Sequence, residues 1–302
     1  MYKEVFNIDE TENETRIDVY LTDVLEKYSR TKIQNYIKSE RVFVNEKPCK
    51  PSFILHTDDK VIVDFNDEDE IRVAPENIPI DIVWEDCNYC IVNKPSGMLT
   101  HPTSKEKTGT LVNALLFNYE KLSDENGLYR QGIIHRLDRN TSGLLVIAKN
   151  NDAHKKVAQM IKNREVEKRY RAIVKGVLRD NIIINEPIGR NKQNPAKMCV
   201  SKDGKESLTE VSIIEVFDDA TYVDINLKTG RTHQIRVHLS NIGHPVYNDT
   251  LYGFGKMHIK TEEQVLQAYN LKFIHPYTGQ VIDIKIEPDD KINKVLKYLQ
   301  NR

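Results

Sequence analysis

The stretch that most limits how this chain can fold lies between residues 66 and 79, where regular structure has nothing to build on. Asn66-Asp67-Glu68-Asp69-Glu70 is an acidic run without an apolar face. Ala74-Pro75-Glu76-Asn77-Ile78-Pro79 follows with two prolines, which remove backbone donors. One continuous core cannot pass through such a segment. The chain therefore reads as an acidic tail over residues 1–14, a small module over 15–65, a linker over 66–79 and a large domain over 80–302. At 302 residues, 39% hydrophobic and 29% charged, it is long enough for a core in each part.

Composition removes several classes. There is no run of 18 apolar residues, and Met1-Tyr2-Lys3-Glu4 opens no apolar leader, so the expectation is a cytoplasmic protein that neither crosses a membrane nor is secreted. Cys49, Cys87, Cys90 and Cys199 are too scattered for a disulfide framework, which favours a reducing compartment. Cys87 and Cys90 form a CxxC with no second ligand pair, inside Val83–Val92, which reads as a hairpin; they are ordinary thiols. The Lys plus Arg total of 44 against 45 Asp plus Glu argues against a tail-driven nucleic-acid binder. Charge is uneven, however. Residues 27–50 hold 7 bases and 2 acids, and residues 130–175 hold 12 and 4, so two basic segments can bind a polyanion that the net charge of −1 conceals.

In the small module, Ile17, Leu21, Val24, Leu25 and Tyr28 recur at helical spacing, and Ser29 can cap a second helix carrying Ile33, Tyr36 and Ile37. Strands Val42–Val44 and Val61–Val63 follow, with Asn45-Glu46-Lys47-Pro48 turning the chain between them. Ser29-Arg30-Thr31-Lys32-Ile33-Gln34 and Arg41-Val42-Phe43-Val44-Asn45, with the basic residue after them, resemble the S-four-like RNA-binding domain over about residues 15–65. Glu40 and Glu46 stand where that family usually has glycines, and Asp58-Asp59 replaces its Gly-Asp turn. The resemblance implies phosphate contacts from Arg30, Lys32, Arg41 and Lys47; the plainer alternative is a solvated basic helix face.

The large domain carries Ile134-His135-Arg136-Leu137-Asp138-Arg139-Asn140-Thr141-Ser142-Gly143, a polar loop that feeds the apolar strand Leu144–Ala148. Its composition surrounds Asp138 with the donors His135, Arg136 and Arg139, and a carboxylate fixed as an acceptor can serve as nucleophile or base. Alone, Asp138 would more often brace a turn through Thr141 and Ser142. Other segments weigh against that. Asn93–Gly97, Lys168–Gly176, Gly230–Leu239, Gly243-His244-Pro245 with Leu251-Tyr252-Gly253, and Leu271–Pro276 fall in order around the loop. With His135-Arg136-Leu137-Asp138 and Thr141-Ser142-Gly143 they resemble the RluA-type pseudouridine synthases over about residues 80–287. Two positions depart from that pattern: Asn248 stands where a glycine normally precedes Asp249, and Gln267 stands where a His is common before the final strand.

The resemblance implies an α+β domain with a mixed, largely antiparallel sheet and a central cleft holding Asp138, behind the small α/β RNA-binding domain. It implies isomerisation of a uridine in RNA: the N-glycosidic bond breaks, the uracil turns, and a bond through carbon 5 forms. No redox change, energy source or metal is needed, so no cofactor is expected, in keeping with the absence of a P-loop or dinucleotide fingerprint. Asp138 is implied as the catalytic carboxylate, attacking the anomeric carbon or assisting a glycal; the sequence does not choose between them. Tyr170 is implied to pack on the base and serve as general base, though a strand tyrosine can simply fill a core. Arg236 is the expected counter-ion of Asp138, and its alternative is a peripheral phosphate contact, a role that Arg231 suits better. Arg136 is implied to occupy the stack vacated by a flipped uridine, with Arg139 as a further RNA contact and His135 either another such contact or a satisfied loop histidine.

Several features carry no chemistry on this reading. His233 and His238 are five apart, which suits neither a helix face nor a strand face, so no metal pair is expected. Leu111–Leu116 reads as a buried helix and Val281–Ile286 as a last strand. The expected partner is RNA, large-subunit ribosomal RNA or a ribosome precursor, bound by a monomer. Two competing functions are the same activity on transfer RNA and a non-catalytic RNA-binding or ribosome-assembly factor. A hydrolase using Ser142 fails because Asn140-Thr141-Ser142-Gly143 is no nucleophile elbow.

Overall fold

A computed structural model describes the chain except for residues 1, 9–12, 26, 27, 29, 66–72, 104, 105, 192, 195, 196, 255–258, 260 and 262. Two compact units result: Met1–Val73 with Glu125–Tyr129, and Ala74–Asp124 with Arg130–Arg302. The acidic part of the expected linker and the helix-capping Ser29 lie outside the described residues.

The first unit contains β1 (Tyr2–Asn7), α1 (Ile17–Val24), α2 (Arg30–Lys38), β2 (Val42–Val44), β3 (Lys47–Pro48) and β4 (Lys60–Phe65). Its strands form one antiparallel sheet in the order β1-β4-β2-β3. Residues 2–7 are thus not the acidic tail expected from their composition. Phe6 packs on the core and Ile8, two residues on, is buried, so the chain covers the otherwise open edge of β4. Tyr28 falls beyond α1, where its ring stacks on Phe65 at 5.4 Å. Ile17, Leu21, Ile33 and Ile37 from the helices meet Val42, Val61 and Val63 from the sheet. Beneath them Asp18 is fully buried and accepts from Arg16, Arg30 and Gln34, which fastens α1 to α2.

The positions where this chain lacks the expected glycines are conformationally telling. Glu40, Glu46 and Asp58 have φ of 56°, 65° and 70°, and Asn248 in the second unit has 58°, all in the left-handed region that glycine occupies at no steric cost.

The second unit begins with the hairpin β5 (Asp81–Glu85) and β6 (Tyr89–Lys94), then α3 (Leu111–Asn118), β7 (Ser142–Ala148) and α4 (Asn151–Lys162). It continues through β8 (Glu167–Lys175), β9 (Ile182–Asn185), β10 (Ile188–Arg190), β11 (Met198–Val200), β12 (Leu208–Val216) and β13 (Ala220–Leu227). The chain closes with α5 (Gln234–Asn241), β14 (Leu266–Ile274), β15 (Val281–Lys285) and α6 (Asp290–Gln300). Ala74 and Glu76, assigned to the linker from sequence, hydrogen-bond to Asn113 at the start of α3.

Nine strands form the large sheet in the order β5-β6-β7-β14-β8-β13-β12-β9, with β15 paired to β14. Among the described pairs only β7 with β14 is parallel, so the sheet is mixed and largely antiparallel. Gln267 lies within β14, ahead of the final strand β15. The register sets one rung across the sheet: Lys94, Gly143, Ala268, Tyr170, Ile225 and Val211. Motifs separated by more than a hundred residues thereby become neighbours.

Candidate active site

At Gly143 the rung adjoins a polar loop at the start of β7 that is clamped from both sides. Lys94 Nζ, fully buried on β6, donates to the carbonyls of Pro95, Met98 and Arg139 at 2.8, 2.8 and 3.0 Å. Loss of solvent and the nearby Lys291 push its ammonium down to about 7, while the Asp138 charge pulls the other way. Lys291 at the start of α6 donates to Ser96 Oγ and to the carbonyls of Asn140 and Gln264. Thr100 Oγ1 donates to Leu137 O at 3.0 Å. Neither Thr141 nor Ser142 braces the Asp138 side chain: Thr141 accepts from Gln264, and Ser142 donates to Asp289, the cap of α6.

The clamped loop projects Asp138 into a cleft of about 500 Å³, within the range of ligand sites. Tyr170, His135, Arg136, Arg231 and Arg236 line it too, as do Lys168, Lys228 and His233. The Asp138 carboxylate meets Arg236 Nη1 at 3.2 Å. This corrects the cradle expected from loop composition. Arg139 turns away to Glu106 at 2.5 Å and is not among the cleft-lining residues, and Arg136 is exposed on the wall. His135 Nε2 instead accepts from the Val146 N–H, and loss of solvent, aided by Lys168, pushes the imidazole down to about 3. With Nε2 accepting, the ring keeps one donor, Nδ1–H, and among the described residues it makes no hydrogen bond to Asp138.

Arg236 is 6% exposed and sits on α5, so its charge has to be balanced locally. Asp249 does most of this, accepting Nε at 2.7 Å and Nη2 at 2.9 Å. Asp249 itself accepts from the N–H groups of Leu251 and Tyr252, and the Arg236 guanidinium lies 5.1 Å from the centre of the Tyr252 ring. Tyr170, 5% exposed on β8, is held above the ordinary phenol range by burial and by the Asp138 charge. Lys168, two residues before it on the same strand face, is held below the ordinary amine range by burial. Arg231 is exposed at the rim, with its Nε on the Glu206 carbonyl.

Sequence reasoning passed over Asp249, Tyr252 and Lys168. The alternation of β8 was enough to pair Lys168 with Tyr170; the Asp249 anchor had no local signal. His238, set aside as a metal ligand, spends both ring nitrogens on Thr209 Oγ1 and Glu186 O. Among the described residues no group of three or more His, Cys, Asp and Glu side chains is arranged to hold a metal ion. None of the described helices is long and apolar enough to cross a membrane.

In the first unit, Arg30 is half-exposed and already paired with Asp18 at 3.0 Å. Lys32 Nζ lies 5.1 and 5.4 Å from the Tyr28 and Tyr36 ring centres, Arg41 is 5.9 Å from that of Tyr36, and Lys47 is exposed on β3.

Residues 88–241 match the family model described as RNA pseudouridylate synthase, and residues 15–61 match the S4 domain. An uncharacterized RNA pseudouridine synthase of Aquifex aeolicus is 39% identical over 298 residues, covering 95% of this chain and 94% of that protein. Ribosomal large subunit pseudouridine synthase D of Neisseria meningitidis serogroup B is 36% identical over 297 residues, covering 94% and 79%. The solved structure of human RNA Pseudouridylate Synthase Domain Containing 1 superimposes with a TM-score of 0.58 at 24% identity, over 75% of this chain and 97% of that one, a likeness of fold.

Proposed function

The chain belongs to the RNA pseudouridylate synthase family and is an isomerase that makes pseudouridine in RNA, and on that premise we propose that it modifies large-subunit ribosomal RNA with Asp138 as the catalytic carboxylate. The substrate reading is supported by relatives named ribosomal large subunit pseudouridine synthase D, such as that of Neisseria meningitidis at 36% identity. The reading of Asp138 rests on one observation. Among the described residues its carboxylate faces the cleft with a single buried partner, Arg236, whose own charge is balanced by Asp249.

The uridine has to leave its stack, at a cost of a few kcal/mol unless it is already unpaired. Arg136, exposed on the wall two residues before Asp138, fills the vacated place. Tyr170 packs on the uracil while Asp138 attacks the anomeric carbon or assists a glycal, with Arg236 holding the carboxylate to one geometry. Burial and the Asp138 charge keep the Tyr170 phenol protonated at the outset. Ester formation at Asp138 removes the second of those causes, and on that route it is the step after which Tyr170 can act as base. Arg231, His135 and Arg139, with Arg30, Lys32, Arg41 and Lys47 of the first unit, contact the RNA backbone. The enzyme works in the cytoplasm as a monomer and needs no cofactor.

Two measurements test this. Asp138→Asn should abolish pseudouridine formation in a ribosomal RNA fragment while RNA binding persists; full activity in that variant would refute its role. A map of pseudouridines across cellular RNA, with and without the protein, should lose sites in large-subunit ribosomal RNA. Losses confined to transfer RNA would overturn the substrate.

A further inference from the structure

We propose that His233 is a substrate-recognition residue whose Nε2–H donates a hydrogen bond to an acceptor oxygen of the target nucleotide, and that Tyr252 is the positioning residue that fixes this proton. The inference rests on the cleft around Asp138 being the uridine site.

Hydrogen-bond accounting assigns the tautomer. The Met198 N–H donates to Tyr252 Oη at 2.8 Å, and the same oxygen lies 2.8 Å from His233 Nδ1. Met198 can only donate, and a phenol has one proton to give. If Nδ1 carried the ring proton, Tyr252 would accept twice and its own O–H would have no acceptor among the described residues. The phenol therefore donates to Nδ1, and the imidazole proton sits on Nε2. Loss of solvent holds the ring below the ordinary histidine range against the pull of Asp138, so this one-donor form persists at neutral pH.

The backbone carries the second observation. His233 precedes α5 with φ 58° and ψ 18°, a left-handed conformation strained for any residue with a Cβ. Its side chain makes no capping hydrogen bond, so helix termination does not account for it. What the conformation achieves is to set the ring edge-on against Tyr252, centroids 5.5 Å apart, in the wall shared with Asp138, Tyr170 and Arg236. Tyr252 thus steadies both Arg236 and His233, three residues apart. Uracil carbonyls and the flanking phosphate supply only acceptors to such a donor, which matches its one fixed N–H.

The test compares wild type, His233→Gln, which keeps a donor at the Nε2 position, His233→Phe, which keeps the ring without it, and Tyr252→Phe. Single-turnover pseudouridine formation should fall on the order of 10²–10³-fold in His233→Phe, as when one fixed donor is removed from a reacting site. RNA affinity should hold, and His233→Gln should recover most of the rate. Imidazole ¹⁵N spectra should show Nε2–H in wild type and a tautomer mixture in Tyr252→Phe. Substrates with 2-thio- or 4-thiouridine, or a methylphosphonate 5′ to the target, identify the acceptor: on the one lacking it, the gap between wild type and His233→Phe closes. A wild-type rate in His233→Phe, an Nδ1–H wild-type spectrum, or an undiminished gap on every analogue overturns the proposal. Asp138→Asn assayed alongside separates the outcomes, since its full activity would refute the cleft itself, whereas its loss with His233→Phe intact refutes only the recognition role.

Discussion

Asp249 grips Arg236 through two parallel hydrogen bonds of 2.7 and 2.9 Å, both groups being buried. Burial works against the Asp249 charge, but Arg236 and the N–H groups of Tyr252 and Leu251 hold its carboxyl below the usual range. The fork occupies Nε and one Nη2 proton, and Arg236 meets Asp138 through Nη1 at 3.2 Å, so the direction from which the Asp138 carboxylate is held is set by a residue that does not touch it. Asp249→Asn would place an amide N–H₂ against the guanidinium or accept only one of its bonds. The single-turnover rate should drop on the order of 10²-fold, the loss expected from a small misplacement, with RNA dissociation constants little changed. Arg236→Lys should do the same, because a point charge cannot bridge two carboxylates.

The loop bearing Asp138 also depends on a close backbone approach. Gly143 has φ 117°, and a Cβ there would lie 2.1 Å from the Ala268 carbonyl oxygen, at the only described parallel contact of the large sheet. Backbone cannot yield as a side-chain tip can. Gly143→Ala should cost about 3 kcal/mol or more and separate β7 from β14. Thermal unfolding followed by circular dichroism should show a strongly lowered midpoint.

These two sites mark what a sequence can and cannot tell. Asp138, Tyr170 and Arg236 each sit in a contiguous motif, so three residues that line the cleft were legible, as were the hairpin β5–β6 and the strands β7 and β15. The partner of Arg236 was not, because Asp249 reaches it across a loop whose path depends on tertiary packing. Arg139 misled for a related reason: proximity in sequence to Asp138 says nothing of the direction in which a loop side chain leaves. The rung joining Gly143, Ala268 and Tyr170 needs the parallel pairing of strands more than a hundred residues apart, which no local pattern encodes. Residues 2–7 were misjudged because acidic neighbours obscured the inward spacing of Phe6 and Ile8.

Asp18 makes the first unit pH-sensitive in a defined window. Burial opposes its charge, yet Arg16, Gln34 and Arg30 hold the carboxyl at about 2. Its unfolded value is near 3.9, so the stabilisation is fully present above that pH and is lost as pH falls toward 2. Asp18→Asn should cost about 2–4 kcal/mol at neutral pH and flatten the acid limb. Amide exchange over residues 17–38 of the full chain, measured from pH 5 downward, reads both effects; an unchanged acid limb in the variant would show that another group governs it.

Helix ends supply the last prediction. The Arg41 N–H bonds to Tyr36 O and the Glu40 N–H to Ile37 O, a Schellman closure of α2 with Glu40 at the left-handed position. α5 closes identically through His244 to Leu239 and Gly243 to Ser240, but with glycine at that position, φ 88°. The same bonds with and without a Cβ isolate its cost, about 1–2 kcal/mol for a left-handed non-glycine residue, against which glycine loses about 0.5–1 kcal/mol of unfolded-state entropy. Glu40→Gly should therefore stabilise the first unit by up to about 1 kcal/mol. Slower amide exchange in α2, with exchange in β7 and β8 unchanged, is the expected result, and faster exchange in α2 would mean that Glu40 makes a stabilising contact outweighing its strain.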